Sequence, residues 1–193
     1  MLTHRRLQLI SILSVFLSFA TAEARLQLCS PQTQDPEENW RPLGEVPSSK
    51  LATQGDLRAI PRELVEERRL VALEMKTLDA LFRMANEARK SGIELKVASG
   101  YRSREAQQKL IDEKLASGVC PETLYQTVAP AKYSTHPTGR AIDFSPANAS
   151  FAQTPAYRWL KENAVGFGFK ETYPSARLNG IAWEPWHYDF TSP

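Results

Sequence analysis

From Leu64 to Lys90, Leu70, Leu73, Thr77, Leu78, Leu81, Phe82 and Ala85 recur near three- and four-residue intervals, and the segment runs into a basic turn and Gly92. That spacing predicts an amphipathic helix with a stop signal at its end. Ile93 to Ser99 alternates apolar and polar residues in part, as a half-buried strand entering a core does, and Gly100 marks its end. Ser103 caps a predicted helix from Arg104 to about Ser117, which Gly118 closes. A loop with prolines and a tyrosine follows. Thr154 and Pro155 then give a second cap-and-proline start, for a helix to about Val165, and Gly166 and Gly168 flank Phe167. Ile181 to Phe190 is aromatic-rich and predicts a terminal strand. Helices and strands do not alternate regularly, so the expected fold class is α+β, a single compact domain with an antiparallel sheet flanked by helices. No internal repeat is visible.

The N-terminal part has a different pattern. Arg5 and Arg6 precede an apolar stretch from Leu7 to Ala20, followed by Ala22, Glu23 and Ala24 in a small-x-small arrangement. This reads as a signal peptide over residues 1–24, because the apolar stretch is shorter than the ~18–20 residues that cross a bilayer core. A periplasmic or secreted protein is therefore expected, with no stable membrane insertion after cleavage. Residues 25–61 are rich in prolines and polar clusters such as Pro31 to Pro36, and read as an irregular arm draped on a domain spanning 62–193.

With 193 residues, of which 42% are hydrophobic, the chain has room for one sizeable core. A formal net charge of +2 gives no single-sign field that would recruit nucleic acid. Cys29 and Cys120 lack zinc-knuckle spacing; an oxidising exterior allows them to pair and tie down the arm, or they remain separate thiols.

Apart from His4 in the leader, the only histidines are His136 and His187. His136 is followed seven residues later by Asp143 in an apolar run, and a buried aspartate needs a partner. Two imidazoles and a carboxylate fill three positions of tetrahedral zinc and leave the fourth for water, the arrangement of a hydrolytic site. Glu184, three residues before His187, is placed to act as general base without being a ligand. Each residue alone has a plainer role, as a core histidine, a helix cap or a surface carboxylate. Asp189 is a competing ligand, ranked below Asp143. Tyr101, Trp183, Trp186 and Tyr188 are expected to pack around the site.

The pattern Ser134-x-His136-x-x-Gly139-x-Ala141-x-Asp143, with Glu184, Pro185, Trp186 and His187 near the C-terminus, resembles the D-alanyl-D-alanine carboxypeptidase family of LAS metallopeptidases. Ser99 to Ser103 and Gln107 match that family's strand-to-helix segment, and the resemblance runs from about Leu70 to Phe190. It implies a fold of the hedgehog and D,D-peptidase type, with one zinc ion per chain on His136, Asp143 and His187 and the base at Glu184. It also implies that Arg102 binds substrate or stabilises developing charge, that Ser134 contacts the terminal carboxylate of the substrate, and that Gln107 lines the site. Ala131 with Lys132, Pro137 and Asp189 depart from the family pattern at the substrate-binding rim, but no ligand is lost.

The expected function is hydrolysis of peptidoglycan stem peptides, first of all as a D-alanyl-D-alanine carboxypeptidase. An L,D-carboxypeptidase or a peptidoglycan endopeptidase uses a similar site. A non-hydrolytic zinc-stabilised module that binds wall peptides or a protein is the reading from another class, and the intact Glu184 argues against it. Oligomeric state, disulfide status and the bond cleaved are not legible in the sequence.

Overall fold

The computed structural model describes Cys29, Asp35 and residues 37–66, 69–174 and 180–191. The leader and parts of the arm lie outside the described residues. No helix of the described residues is long and apolar enough to cross a membrane.

The elements, in chain order, are β1 (Leu57–Ala59), β2 (Ala72–Glu74), α1 (Met75–Lys90), β3 (Val97–Ser99), α2 (Arg104–Ala116), α3 (Pro121–Thr127), β4 (Ala141–Phe144), α4 (Pro155–Asn163), β5 (Phe169–Glu171) and β6 (His187–Phe190). Strands β1 and β2 form an antiparallel pair. The other four form an antiparallel sheet in the order β3-β4-β6-β5. The α+β class and the antiparallel sheet agree with the sequence pattern.

Helix α1 starts at Met75, eleven residues later than the periodicity from Leu64 indicates. The N-cap is Glu74, whose carboxylate accepts from the backbone N–H and the hydroxyl of Thr77 at 3.0 and 3.1 Å. Leu64, Val71 and Leu73 do face the core, but from a 3-10 turn, the residue before β2 and β2 itself rather than from one α-helical face. Leu70 is 96% exposed, so its fit to the helical stripe was accidental. From Met75 onward the stripe is real: Leu78, Leu81, Met84, Ala85 and Ala88 are buried on one face.

The caps read from sequence hold. Ser103 accepts from Ala106 N–H, and Thr154 accepts from Tyr157 N–H with Pro155 at the first helical position. The proline and tyrosine loop contains the short helix α3, started by Pro121, and the aromatic C-terminal segment is a strand only over its last four residues, with Ile181 in an isolated turn-like bridge position.

The main core gathers α1, α4 and one face of the sheet around Leu73, Leu81, Met84, Val97, Ile142, Phe144, Leu160, Phe169 and Tyr188. A second cluster, of Trp40, Tyr133, Tyr173 and Ile181, joins the arm to the rest of the chain. The arm is also cross-linked, because Cys29 and Cys120 form a disulfide.

Candidate active site

Strand alternation places the chemistry. On β4, Ile142 and Phe144 enter the core, so Asp143 faces the opposite side. On β6, Tyr188 and Phe190 enter the core and leave His187 and Asp189 on that same side. The register pairs Asp143 directly with His187, and on its other side with Ser99 of β3. A one-residue slip of either strand would separate the two.

His136 comes from a single 3-10 turn, His136–Thr138, that ends on Gly139 in the left-handed region at φ 69°. That residue needs to be glycine for a second reason: a Cβ would stand 2.9 Å from the Glu74 backbone nitrogen. The close approach is used, since Glu74 N–H donates to Gly139 O at 2.9 Å. Gly100 is similarly constrained, with a Cβ only 2.7 Å from Ala72 O, and Tyr101 N–H donates to that same oxygen. Strand β2 thus locks the His136 loop and the Gly100 turn together.

His136 Nδ1 lies 2.6 Å from Gly100 O, which turns Nε2 towards Asp143 Oδ2 at 3.3 Å. His187 Nδ1 lies 2.8 Å from Asp143 Oδ1. The imidazole centroids are 5.1 Å apart and nearly perpendicular. One ligand atom from each of His136, Asp143 and His187 falls within 4.8 Å of the others, and all three residues are buried. Two imidazole nitrogens and a carboxylate oxygen converging in this way fit a zinc ion with a fourth position open. The far nitrogen of His187 is near Thr135 Oγ1 at 3.3 Å and Asp189 Oδ1 at 3.6 Å. Asp189 therefore sits behind His187, on the side away from Asp143, and is not part of the converging set.

Burial alone would raise the Asp143 carboxyl, but the charges of and hydrogen bonds to His136 and His187 outweigh it and hold the group well below the usual carboxylate range. Burial works to lower His187, yet Asp143 and Asp189 on its two sides push it up. A cation held by these side chains would compete with protons for the same nitrogen and oxygen atoms.

Glu184 is buried on the turn into β6, with Oε2 4.0 Å from His187 Nδ1. Burial pushes its carboxyl up to about 7; Asp143 adds to the rise, while His187 and Arg102 oppose it. A carboxyl poised there exchanges protons readily near neutral pH. Arg102, just after β3, donates to Gln107 Oε1 at 2.6 Å and to Ser99 Oγ at 3.0 Å. Its burial lowers the guanidinium pKa, and the charges of Asp143 and Glu184 oppose that shift. Gln107 is engaged at both ends, because its Nε2 donates to Ala129 O at 2.7 Å. Ser134 is buried beside His136.

All seven predicted site residues line one cavity of about 510 Å³. Sequence reasoning missed Trp40 from the arm and Tyr173, whose ring packs 5.0 Å from that of His187. No local motif marks either residue; the nearest signal is that Trp40 is a large aromatic in an otherwise polar arm.

An antiparallel α+β scaffold carrying a buried His-Asp-His cluster with a glutamate beside it defines the metallopeptidase class of site. A family model described as VanY, D-alanyl-D-alanine carboxypeptidase, matches residues 71–193, and the chain belongs to that family. The chain is similar to a D-alanyl-D-alanine carboxypeptidase of Enterococcus faecalis, 36% identical over 113 residues, covering 53% of this chain and 42% of that protein. It thus spans about two fifths of the length of that curated relative. Among solved structures, the LdcB LD-carboxypeptidase superposes with a TM-score of 0.65 at 28% identity, covering 77% of this chain and 72% of that one. The vancomycin-resistance D,D-pentapeptidase VanY, a mutant in complex with Zn(II), superposes with a TM-score of 0.53 at 31% identity, covering 74% and 86%.

Proposed function

We propose that this chain is a secreted, zinc-dependent D,D-carboxypeptidase that removes the terminal D-alanine from peptidoglycan stem peptides. The observation that carries the reading is the convergence of His136, Asp143 and His187 beside Glu184 in one cavity. Family membership supports it, as does the Zn(II) bound by the VanY relative. The leader pattern supports a periplasmic or exported location, where the substrate lies.

His136, Asp143 and His187 would hold one zinc ion per chain, which would polarise the scissile carbonyl and lower the pKa of a water near it. The protein's own residues do the rest. The Glu184 carboxylate takes a proton from the attacking water and returns it to the nitrogen of the departing D-alanine, so the proton count balances. The Arg102 guanidinium, already oriented by Gln107 and Ser99, presents its remaining N–H groups to substrate negative charge. Ser134, which lines the same cavity, is assigned to the terminal carboxylate of the peptide.

The test is zinc content together with mass-spectrometric products from tetra- and pentapeptide stems. Chelator-sensitive loss of one D-alanine from the pentapeptide is the expected result. Zinc bound without cleavage would move the protein to the non-hydrolytic reading. The higher TM-score with the LD-carboxypeptidase favours a second reading, in which the tetrapeptide is the substrate that is shortened.

A further inference from the structure

The catalytic cavity is walled partly by a residue from outside the family segment. Trp40 comes from the arm, is fully buried at 0% exposure, and touches the cavity lining. Its Nε1–H donates to Tyr125 O at 2.8 Å, and its ring meets Tyr173 edge-on at 5.6 Å. Ala129 packs on the same cluster, and its carbonyl is the group that holds Gln107 and, through Gln107, Arg102. Ser134 follows Tyr133, another member of the cluster. The indole therefore shares the cavity lining with Arg102, Gln107 and Ser134, and its cluster reaches Arg102 through Ala129 and Gln107.

Trp40 is held from several directions. The disulfide joins the arm to Cys120, which caps α3, the helix carrying Tyr125. Val46 N–H donates to Lys132 O and Ala52 N–H to Pro137 O, both at 2.9 Å. Lys132 is paired with Glu37 at 2.8 Å and Glu45 at 3.3 Å, and Arg104 donates to Val46 O.

We infer that Trp40 is a specificity-determining residue. It stops the cleft at the end that receives the substrate carboxylate, leaves room for one residue beyond the scissile bond, and so makes the site a carboxypeptidase rather than an endopeptidase. This rests on the peptidase reading above. Truncating the indole removes a large side chain from the cluster of Trp40, Tyr133, Tyr173 and Ile181 and leaves a void beside the cavity lining. The ligand that gains entry is the same stem peptide carrying one more residue at its C-terminus.

The experiment compares kcat/KM for a stem pentapeptide ending in D-Ala-D-Ala with that for the same peptide extended by a C-terminal glycine. Both are measured on the zinc-loaded full chain, with folding checked by circular dichroism. Wild type is expected to prefer the unextended peptide by about a hundredfold or more, because the added residue has no room beyond the scissile bond. Trp40→Ala should cut that preference by about tenfold or more and release D-alanylglycine from the extended peptide, while Trp40→Phe retains most of it. If Trp40→Ala does not fold, the Cys29→Ser, Cys120→Ser double variant loosens the same wall without emptying the cluster, and a smaller fall in preference is expected. An unchanged preference in the folded variants, or a wild type that cleaves both peptides alike, overturns the inference alone. Wild-type protein that holds zinc and cleaves neither peptide overturns the carboxypeptidase reading and takes this inference with it.

Discussion

One wall of the cavity stands on hydrogen-bonded strands, and the wall that faces it is assembled from loops, a short helix and the arm. His187 and Asp143 are register partners on β6 and β4, and the residues between them in sequence alternation, Ile142, Phe144, Tyr188 and Phe190, are anchored in the main core. Trp40, Tyr133, Tyr173 and Ile181 form a separate, smaller core tied to the rest by a disulfide, an indole hydrogen bond, ion pairs of Lys132, backbone contacts and the packing of Tyr173 on His187. The difference follows from what each wall must do. Candidate ligand atoms have to converge closely; strand pairing holds Asp143 opposite His187, and the hydrogen bond from Glu74 N–H to Gly139 O fixes the turn that carries His136. A wall that sizes a peptide pocket tolerates more movement.

The largest effect should separate chemistry from metal binding on the first wall. Glu184→Gln is expected to lower kcat by about 10²–10⁴-fold while zinc content stays at the wild-type level. Zinc lost together with activity would place Glu184 among the ligands instead. Arg102→Ala should cost roughly 10²–10³-fold in kcat/KM, the scale seen when one charge-stabilising donor is removed, again with zinc retained. A purely structural Arg102 would instead show itself as a lower melting temperature with kcat/KM unchanged.

On the second wall, removing the cross-link should be felt in stability before catalysis. Cys29→Ser with Cys120→Ser is expected to lower unfolding free energy by roughly 2–5 kcal/mol, readable in a denaturant titration, with zinc still bound. Loss of zinc in that double variant would mean that the two walls are not independent.

The smallest effect concerns protons. In chelator-stripped protein the Glu184 carboxyl has its pKa pushed from 4.5 up to about 7, so folding favours its neutral form. The stability this group contributes is present below about pH 4.5 and is lost as pH rises through about 7. Glu184→Gln removes that dependence. Its advantage in stability over wild type should therefore grow between those pH values and level off above them, reaching on the order of 3 kcal/mol. A constant difference across the range would mean that Glu184 is not desolvated in solution as its burial implies.

The first wall was largely legible in the sequence, and the second was not. The spacing of His136 and Asp143, the single later histidine, and Glu184 just before it carry their chemistry in the residue types themselves. The caps at Ser103 and Thr154 are local hydrogen bonds between near neighbours, so they too are written in short stretches of chain. The start of α1 was misplaced because Leu64, Leu70 and Leu73 happen to fall on a helical stripe. Their actual states, respectively turn, exposed coil and strand, are set by the pairing of β2 with β1 and by contacts of Ala72 and Glu74 with Gly100 and Gly139 far along the chain.

By itself, then, the sequence determined the α+β class, the candidate ligands and base, and the resemblance to its family, because these depend on residue identity, short-range periodicity and spacing. Only the tertiary structure decided which side of His187 faces Asp143 and which faces Asp189, whether the two cysteines meet, and that Trp40 reaches the cavity. Those outcomes depend on strand register and on contacts between residues distant in sequence. Tyr125 O, for example, is 85 positions from the indole N–H that donates to it. No local pattern encodes such a partner, because loop closure over that distance leaves the pairing to the packing of the whole chain.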